Sequence, residues 1–225
     1  MKKLLAVIIA AALLLSGCSL SSRPAVSAPP AETPSPSPTP IVTPTPAPEP
    51  SDDELVLVRD YIPGIFIDLK YATTDNFTGQ VIYDSDEAYL RYGTVKKLLA
   101  AQNELSGRGL SLKIWDAYRP VSAQFKLWEI CPNPVYVSDP NNGYSKHSRA
   151  NTVDITLVTS TGESIPMPSG FDDFTSLADR DYSDVSAEAA ENARLLESVM
   201  VENGFVPYSG EWWHYSDSVS YDVYG

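Results

Sequence analysis

The chain alternates between stretches whose apolar residues recur with a regular period and stretches with almost none. Leu90, Val95, Leu98, Leu99, Gln102 and Leu105 fall close to helical spacing, and Gly107 and Gly109 lie just beyond them, so the pattern predicts an amphipathic helix over 87–105. Leu110 to Trp115 alternates as a short strand does. Pro120 then stands where a first helical turn begins, after a turn at Tyr118-Arg119, and Val121, Phe125 and Trp128 are expected on one face of the helix that follows. Thr152 to Val158 is rich in β-branched residues, with Val153, Ile155 and Leu157 on one side of a strand and Asp154 and Thr156 on the other. Ser183 or Ser186 is placed to cap a last long helix carrying Leu195, Leu196, Val199 and Met200, and Asn203-Gly204 is placed to end it. Phe205–Tyr208 and Trp212–Ser216 read as strands around a Ser209-Gly210 turn. Helices interspersed with hairpin-like strands give an α+β domain over 55–225. That length is enough for one hydrophobic core, and neither a second linker nor an internal repeat interrupts it.

The first 54 residues read differently. Lys2 and Lys3 precede an apolar run from Leu4 to Leu15, and Ser16-Gly17-Cys18 follows, which is the layout of a secretory signal over 1–18. The run falls short of the roughly 20 residues of a membrane span. Leu15-Ser16-Gly17-Cys18 resembles a bacterial lipobox, which implies cleavage before Cys18, acylation of that residue and attachment to the membrane through a lipid anchor. Residues 19–54 are Pro-, Ser-, Thr- and Ala-rich, a composition that cannot form a core and favours an extended polyproline tether.

Charge and cysteine content narrow the function. With 16 Lys and Arg against 29 Asp and Glu, the formal net charge of −13 argues against nucleic-acid partners and against docking on anionic lipid through a basic patch. Once Cys18 is processed, Cys131 is the one remaining cysteine, so no intramolecular disulfide can form, and a buried structural thiol is expected.

The chain has two histidines, and each sits in a dense polar segment: Ser145-Lys146-His147-Ser148-Arg149-Ala150-Asn151-Thr152-Val153-Asp154, and Glu211-Trp212-Trp213-His214. Two imidazoles and one carboxylate, His147, His214 and Asp154, make a three-donor set for one catalytic zinc with a fourth position left for water. Glu211, three residues before His214, is the candidate general base. A surface Glu–His pair and a hydrogen-bonded strand carboxylate are the bland alternatives for Glu211 and Asp154.

Those two segments resemble the zinc D-alanyl-D-alanine dipeptidases of the VanX type. Tyr71-Ala72-Thr73-Thr74-Asp75-Asn76-Phe77-Thr78-Gly79, Asp116-Ala117-Tyr118-Arg119-Pro120 and Phe171-Asp172-Asp173-Phe174 resemble further family segments in the same order. The resemblance implies an antiparallel sheet flanked by helices, related to the zinc D,D-carboxypeptidases and the hedgehog signalling domain. It implies His147, Asp154 and His214 as zinc ligands, Glu211 as base, Arg119 as the group that stabilises the oxyanion, and Ser145 and Asp172 as substrate contacts. A structural salt bridge for Arg119 and a turn-forming role for Asp172 stay open. Ala150 stands where the family has glycine, and Met167-Pro168 replaces Met-Gly. The implied substrate is D-Ala-D-Ala or a related D-Ala-terminated peptide met outside the membrane during cell-wall turnover. A D,D-carboxypeptidase acting on stem peptides and a non-catalytic cell-wall binding module are the other classes. The carboxylate-bearing 171–174 segment favours the dipeptidase, and retention of Glu211 argues against the binding module.

Overall fold

The computed structural model describes residues 48–225. The signal segment, Cys18 and the tether as far as residue 47 lie outside the described residues. In chain order the elements are β1 (Leu55–Leu57), α1 (Val58–Tyr61), β2 (Phe66–Ile67), β3 (Tyr89–Arg91), α2 (Tyr92–Ser106), β4 (Leu110–Asp116), α3 (Val121–Ile130), β5 (Thr152–Thr159), α4 (Ala187–Glu202), β6 (Phe205–Tyr208) and β7 (Glu211–Asp217). Short 3-10 turns occupy Lys70–Ala72, Lys146–Arg149 and Ser176–Ala178. Among the described residues no helix is long and apolar enough to cross a membrane.

A five-stranded sheet in the order β2-β4-β5-β7-β6 is the centre of the domain, and β1 and β3 form a separate antiparallel pair. The β4–β5, β5–β7 and β6–β7 pairings are antiparallel as expected, whereas β2 joins β4 in parallel. Helices α2 and α4 lie against this sheet and against each other. Their buried Val95, Leu98, Leu105, Leu196, Val199 and Met200 belong to one core with Leu112, Ile114, Val153, Ile155 and Leu157 of the strands. Each such aliphatic side chain contributes on the order of 1.5–3 kcal/mol by leaving water.

The α+β reading holds, with the two-residue parallel edge strand as its exception. Helix α2 begins at Tyr92 and not at Glu87, because Tyr89–Arg91 pairs instead with Leu57–Leu55. Leu90 is therefore a strand residue, although buried. Helix α3 buries Ala123, Gln124 and Leu127, while Phe125, expected inside, is 41% exposed. The polar Gln124 is drawn inward because its amide accepts a bond from Arg119 Nη1 at 3.0 Å and donates one to the Ser138 carbonyl at 2.7 Å. Cys131 follows the last turn of α3, free and half-buried, packed on the edge of the core and not inside it. Of the two candidate caps for α4, Ser186 is the one used: its hydroxyl accepts from Ala189 N at 3.2 Å. Gly204, at φ +85°, turns the chain out of α4 into β6. Residues placed with the tether already touch the domain, since Arg91 Nη1 donates to the Asp53 carbonyl and Tyr92 N to that of Glu54.

Candidate metal centre

Antiparallel pairing of β5 with β7 sets Asp154 directly opposite His214, with 2.9 Å between Asp154 Oδ1 and His214 Nδ1. A bulge between Ile114 and Asp116 sets Trp115 and Asp116 together against Asp154 on the neighbouring strand. The third donor comes from the 3-10 turn, which Ser145 caps by accepting the His147 N–H at 3.3 Å. His147 Nδ1 lies 2.8 Å from the Ala117 carbonyl, which can only accept. Nδ1 therefore carries a proton, and Nε2 is the ring atom turned toward Asp154, 3.3 Å from its Oδ2.

One donor atom from each of His147, Asp154 and His214 lies within 4.8 Å of the other two. Burial alone would raise the Asp154 carboxyl, but the two facing imidazoles outweigh it and hold that carboxyl well below the usual range. Burial opposes protonation of both imidazoles: it prevails at His214, which is lowered, while Asp154 and Asp116 prevail at His147, which is raised. A buried carboxylate between two imidazoles, one of them fixed from behind by the Ala117 carbonyl, suits a divalent cation such as zinc.

Around this triad opens a cavity of about 260 Å³, lined among others by Tyr71, Arg119, Ser145, Lys146, Asp172 and Glu211. Its volume is near the lower end of the roughly 300–1,000 Å³ of small-molecule pockets. Glu211, the first residue of β7, places Oε2 at 3.5 Å from His214 Nδ1. Burial and the nearby Asp154 and Asp172 carboxylates push Glu211 up to about 7, against the pull of His147 and Arg119. Asp172 is likewise raised to about 7, mainly by burial, although Tyr71 OH donates to its Oδ2 at 2.7 Å. Its backbone is left-handed, φ 53°, a conformation that aspartate tolerates better than most residues.

Arg119 is held by its own neighbours. Nε and Nη2 donate to Asp116 Oδ2, and Nη1 donates to Gln124. Two of its five N–H groups, one on each terminal nitrogen, have no partner among these, and the side chain borders the cavity. Ser145 Oγ accepts from His147 N and so retains its own O–H to donate.

The structure thus brings His147, Asp154, His214, Glu211, Arg119, Ser145 and Asp172 to one cavity. Sequence reasoning missed the supports: Asp116, fully buried, which holds Arg119 and also accepts from Tyr83 OH, and Tyr71, whose ring lies 5.0 Å from the Arg119 guanidinium. The Asp116–Arg119 spacing, two residues between acid and base within one motif, was the available signal. Both departures from the family pattern lie within the described residues. Ala150 adopts the left-handed φ of 59° that glycine accepts without strain, and the 166–169 loop is tied down by Asn192 Nδ2 to the Pro166 carbonyl and by Trp212 Nε1 to Ser169 Oγ.

Within a mixed α+β fold, two imidazoles and a carboxylate beside Glu211 form a donor set that could hold a metal ion, the arrangement of a candidate hydrolase site. Comparison with known proteins narrows the class. A family described as D-ala-D-ala dipeptidase, within the M15 peptidases, matches residues 51–221. The chain belongs to that family and is a peptidase. It is 39% identical over 162 residues to the D-alanyl-D-alanine dipeptidase of Escherichia coli K12, covering 72% of this chain and 83% of that protein. The enzymes of the same name from Enterococcus faecium and Streptomyces coelicolor are each 36% identical, over 174 and 187 residues, covering 68% and 72% of this chain and 86% and 91% of theirs. A solved structure titled VanYB in complex with D-Alanine-D-Alanine aligns with TM-score 0.39 and 16% identity over 59% of this chain and 74% of that one.

Proposed function

We propose that the protein is a zinc-dependent dipeptidase that hydrolyses D-Ala-D-Ala to two D-alanines. The observation that carries this reading is the convergence of His147, Asp154 and His214 beside Glu211 in a small cavity that also holds Asp172. The names of the relatives, which match over most of their own length, support the substrate.

His147, Asp154 and His214 would hold the zinc. When bound there, zinc supplies Lewis-acid polarisation of the scissile carbonyl and the attacking water. Glu211, which borders the cavity beside His214, accepts the proton of that water and delivers it to the departing amino nitrogen. The two uncommitted N–H groups of Arg119 meet the negative charge that grows on the carbonyl oxygen, and Asp116 and Gln124 fix the guanidinium beforehand, so no reorganisation is needed as charge develops. Asp172 receives the free ammonium of the dipeptide. That contact lowers the Asp172 pKa from about 7 and favours its ionised form. Ser145 donates its hydroxyl to the bound peptide.

The domain acts on the outer face of the bacterial membrane, on D-Ala peptides released in wall turnover. The signal-like segment ending at Cys18 and the proline-rich tether support this placement. The test is a zinc titration of the chelated protein with D-alanine release as the readout. Activity rising to a plateau at one zinc per chain is expected, and a chelated protein that retains full activity would remove the metal from the mechanism.

A further inference from the structure

Arg180 lies in the segment between the Ser176–Ala178 turn and α4, and it does not line the cavity. Its side chain is only 10% exposed, and all five of its N–H groups are engaged. Nε donates to the Tyr208 carbonyl at 2.7 Å. Nη2 donates to the carbonyls of Glu211 at 3.0 Å and His214 at 3.1 Å. Nη1 donates to Glu197 Oε2 at 2.9 Å and Tyr215 OH at 3.1 Å, and the guanidinium carbon lies 4.6 Å from the centre of the Tyr215 ring.

Two of these carbonyls, those of Tyr208 and Glu211, lie where the sheet supports the hairpin least. The pairing of β5 with β7 stops at His214, so Glu211 lies beyond it. On the other side, the β6–β7 register shifts between Pro207 and Tyr208, and Pro207 has no N–H to give. Glu211 therefore sits on a strand end with an irregular neighbour on one side and no strand on the other. A planar fork that takes three main-chain carbonyls at once supplies the missing rigidity, and a lysine ammonium, a single centre without that fork, cannot reproduce it.

We infer that Arg180 is a positioning residue: it fixes Glu211 and His214 relative to each other through their main-chain carbonyls and touches neither substrate nor metal. The inference rests on the reading of Glu211 as base and His214 as metal ligand. A displacement of about 1 Å at such a site can cost on the order of 100-fold in rate, whereas binding of a small substrate tolerates it better.

The test uses the full-length chain with Arg180→Lys, Arg180→Ala and Glu197→Gln, the last of which keeps all three carbonyl contacts and removes only the charged partner. Each protein is loaded with cobalt(II), and its visible absorption, melting temperature, kcat and KM are measured. Arg180→Lys is expected to bind one cobalt with altered visible bands and to lose at least about 10-fold in kcat, with KM within about twofold. Millimolar guanidinium should restore part of the kcat of Arg180→Ala, and Glu197→Gln should keep the parental bands and kcat. Parental bands and kcat in Arg180→Lys, or a lowered melting temperature with unchanged kcat per folded molecule, would overturn the inference. Should the lysine variant not fold, Arg180→Gln, which keeps two N–H donors, carries the same comparison. If the parent does not cleave D-Ala-D-Ala, the proposed function fails, while the cobalt bands still decide whether Arg180 positions His214.

Discussion

Replacing Glu211 with glutamine should make the metal-free protein more stable at neutral pH while abolishing most turnover of the zinc-loaded form. Glu211 sits among the carboxylates of Asp154 and Asp172, and its pKa rises from 4.5 to about 7 on folding, through burial first and those charges second. A carboxyl raised in this way favours the folded state only while protonated. Its contribution is intact below about 4.5 and is lost as the pH climbs through about 7. At about 1.4 kcal/mol per pH unit, full burial would make the loss roughly 3 kcal/mol. The side chain is 35% exposed, so water screening reduces this to about 1–2 kcal/mol. Glu211→Gln removes the ionisation, so the chelated variant and parent should melt alike at pH 4 and about 2–8 °C apart at pH 8, with the variant higher. Zinc should narrow the gap by bringing positive charge beside the carboxylate. The zinc-loaded variant should lose roughly 10²–10⁴ in kcat, since the proton acceptor is gone. Calorimetric or circular-dichroism melts from pH 4 to 8 measure the first effect and D-alanine release the second. Parallel pH slopes for parent and variant would refute the electrostatic argument.

Arg119→Ala should lower kcat by roughly 10²–10³ with a modest change in KM, as its charge matters most when the oxyanion forms; steady-state kinetics at saturating D-Ala-D-Ala read this directly. The same change leaves the fully buried Asp116 carboxylate without its guanidinium, with only Tyr83 OH and the Ala117 N–H still donating to it, so a stability loss of about 3 kcal/mol in urea unfolding should accompany it. Asp172→Ala should damage cleavage of the free dipeptide selectively, because an N-acetylated analogue presents no ammonium, and equal kinetic losses on both substrates would make Asp172 structural. A chain starting near Ser51 and kept inside the cell should deplete the cytoplasmic D-Ala-D-Ala pool and alter glycopeptide sensitivity, whereas the full chain should do neither; equal depletion by both would overturn the placement outside the membrane.

The elements legible in the sequence were those marked by local residue pattern and turn chemistry, although β5, read as alternating, is buried on both faces. The strand from Thr152, a serine cap for α4 at one of two candidate positions and the hairpin after Asn203-Gly204 follow from local pattern and turn chemistry, and the two strands so placed carry Asp154 and His214. The start of α2 was not legible, because Tyr89–Arg91 becomes a strand only through pairing with a segment more than thirty residues away. Nor was the buried face of α3, where two hydrogen bonds pull Gln124 inward and leave Phe125 in solvent. The grouping of His147, Asp154, His214 and Glu211 was readable because the chain has only two histidines and each carries acidic or hydroxyl neighbours at short spacing. Arg180 gave no such sign: its partners are main-chain carbonyls, which any sequence possesses.

The central claim is tested most directly by incubating the zinc-loaded protein with D-Ala-D-Ala, its N-acetylated form and a pentapeptide stem ending in D-Ala-D-Ala, and measuring released D-alanine. The account predicts rapid, zinc-dependent release from the free dipeptide, with little from the other two. Release from the stem peptide without cleavage of the free dipeptide would contradict it and assign the site to a D,D-carboxypeptidase.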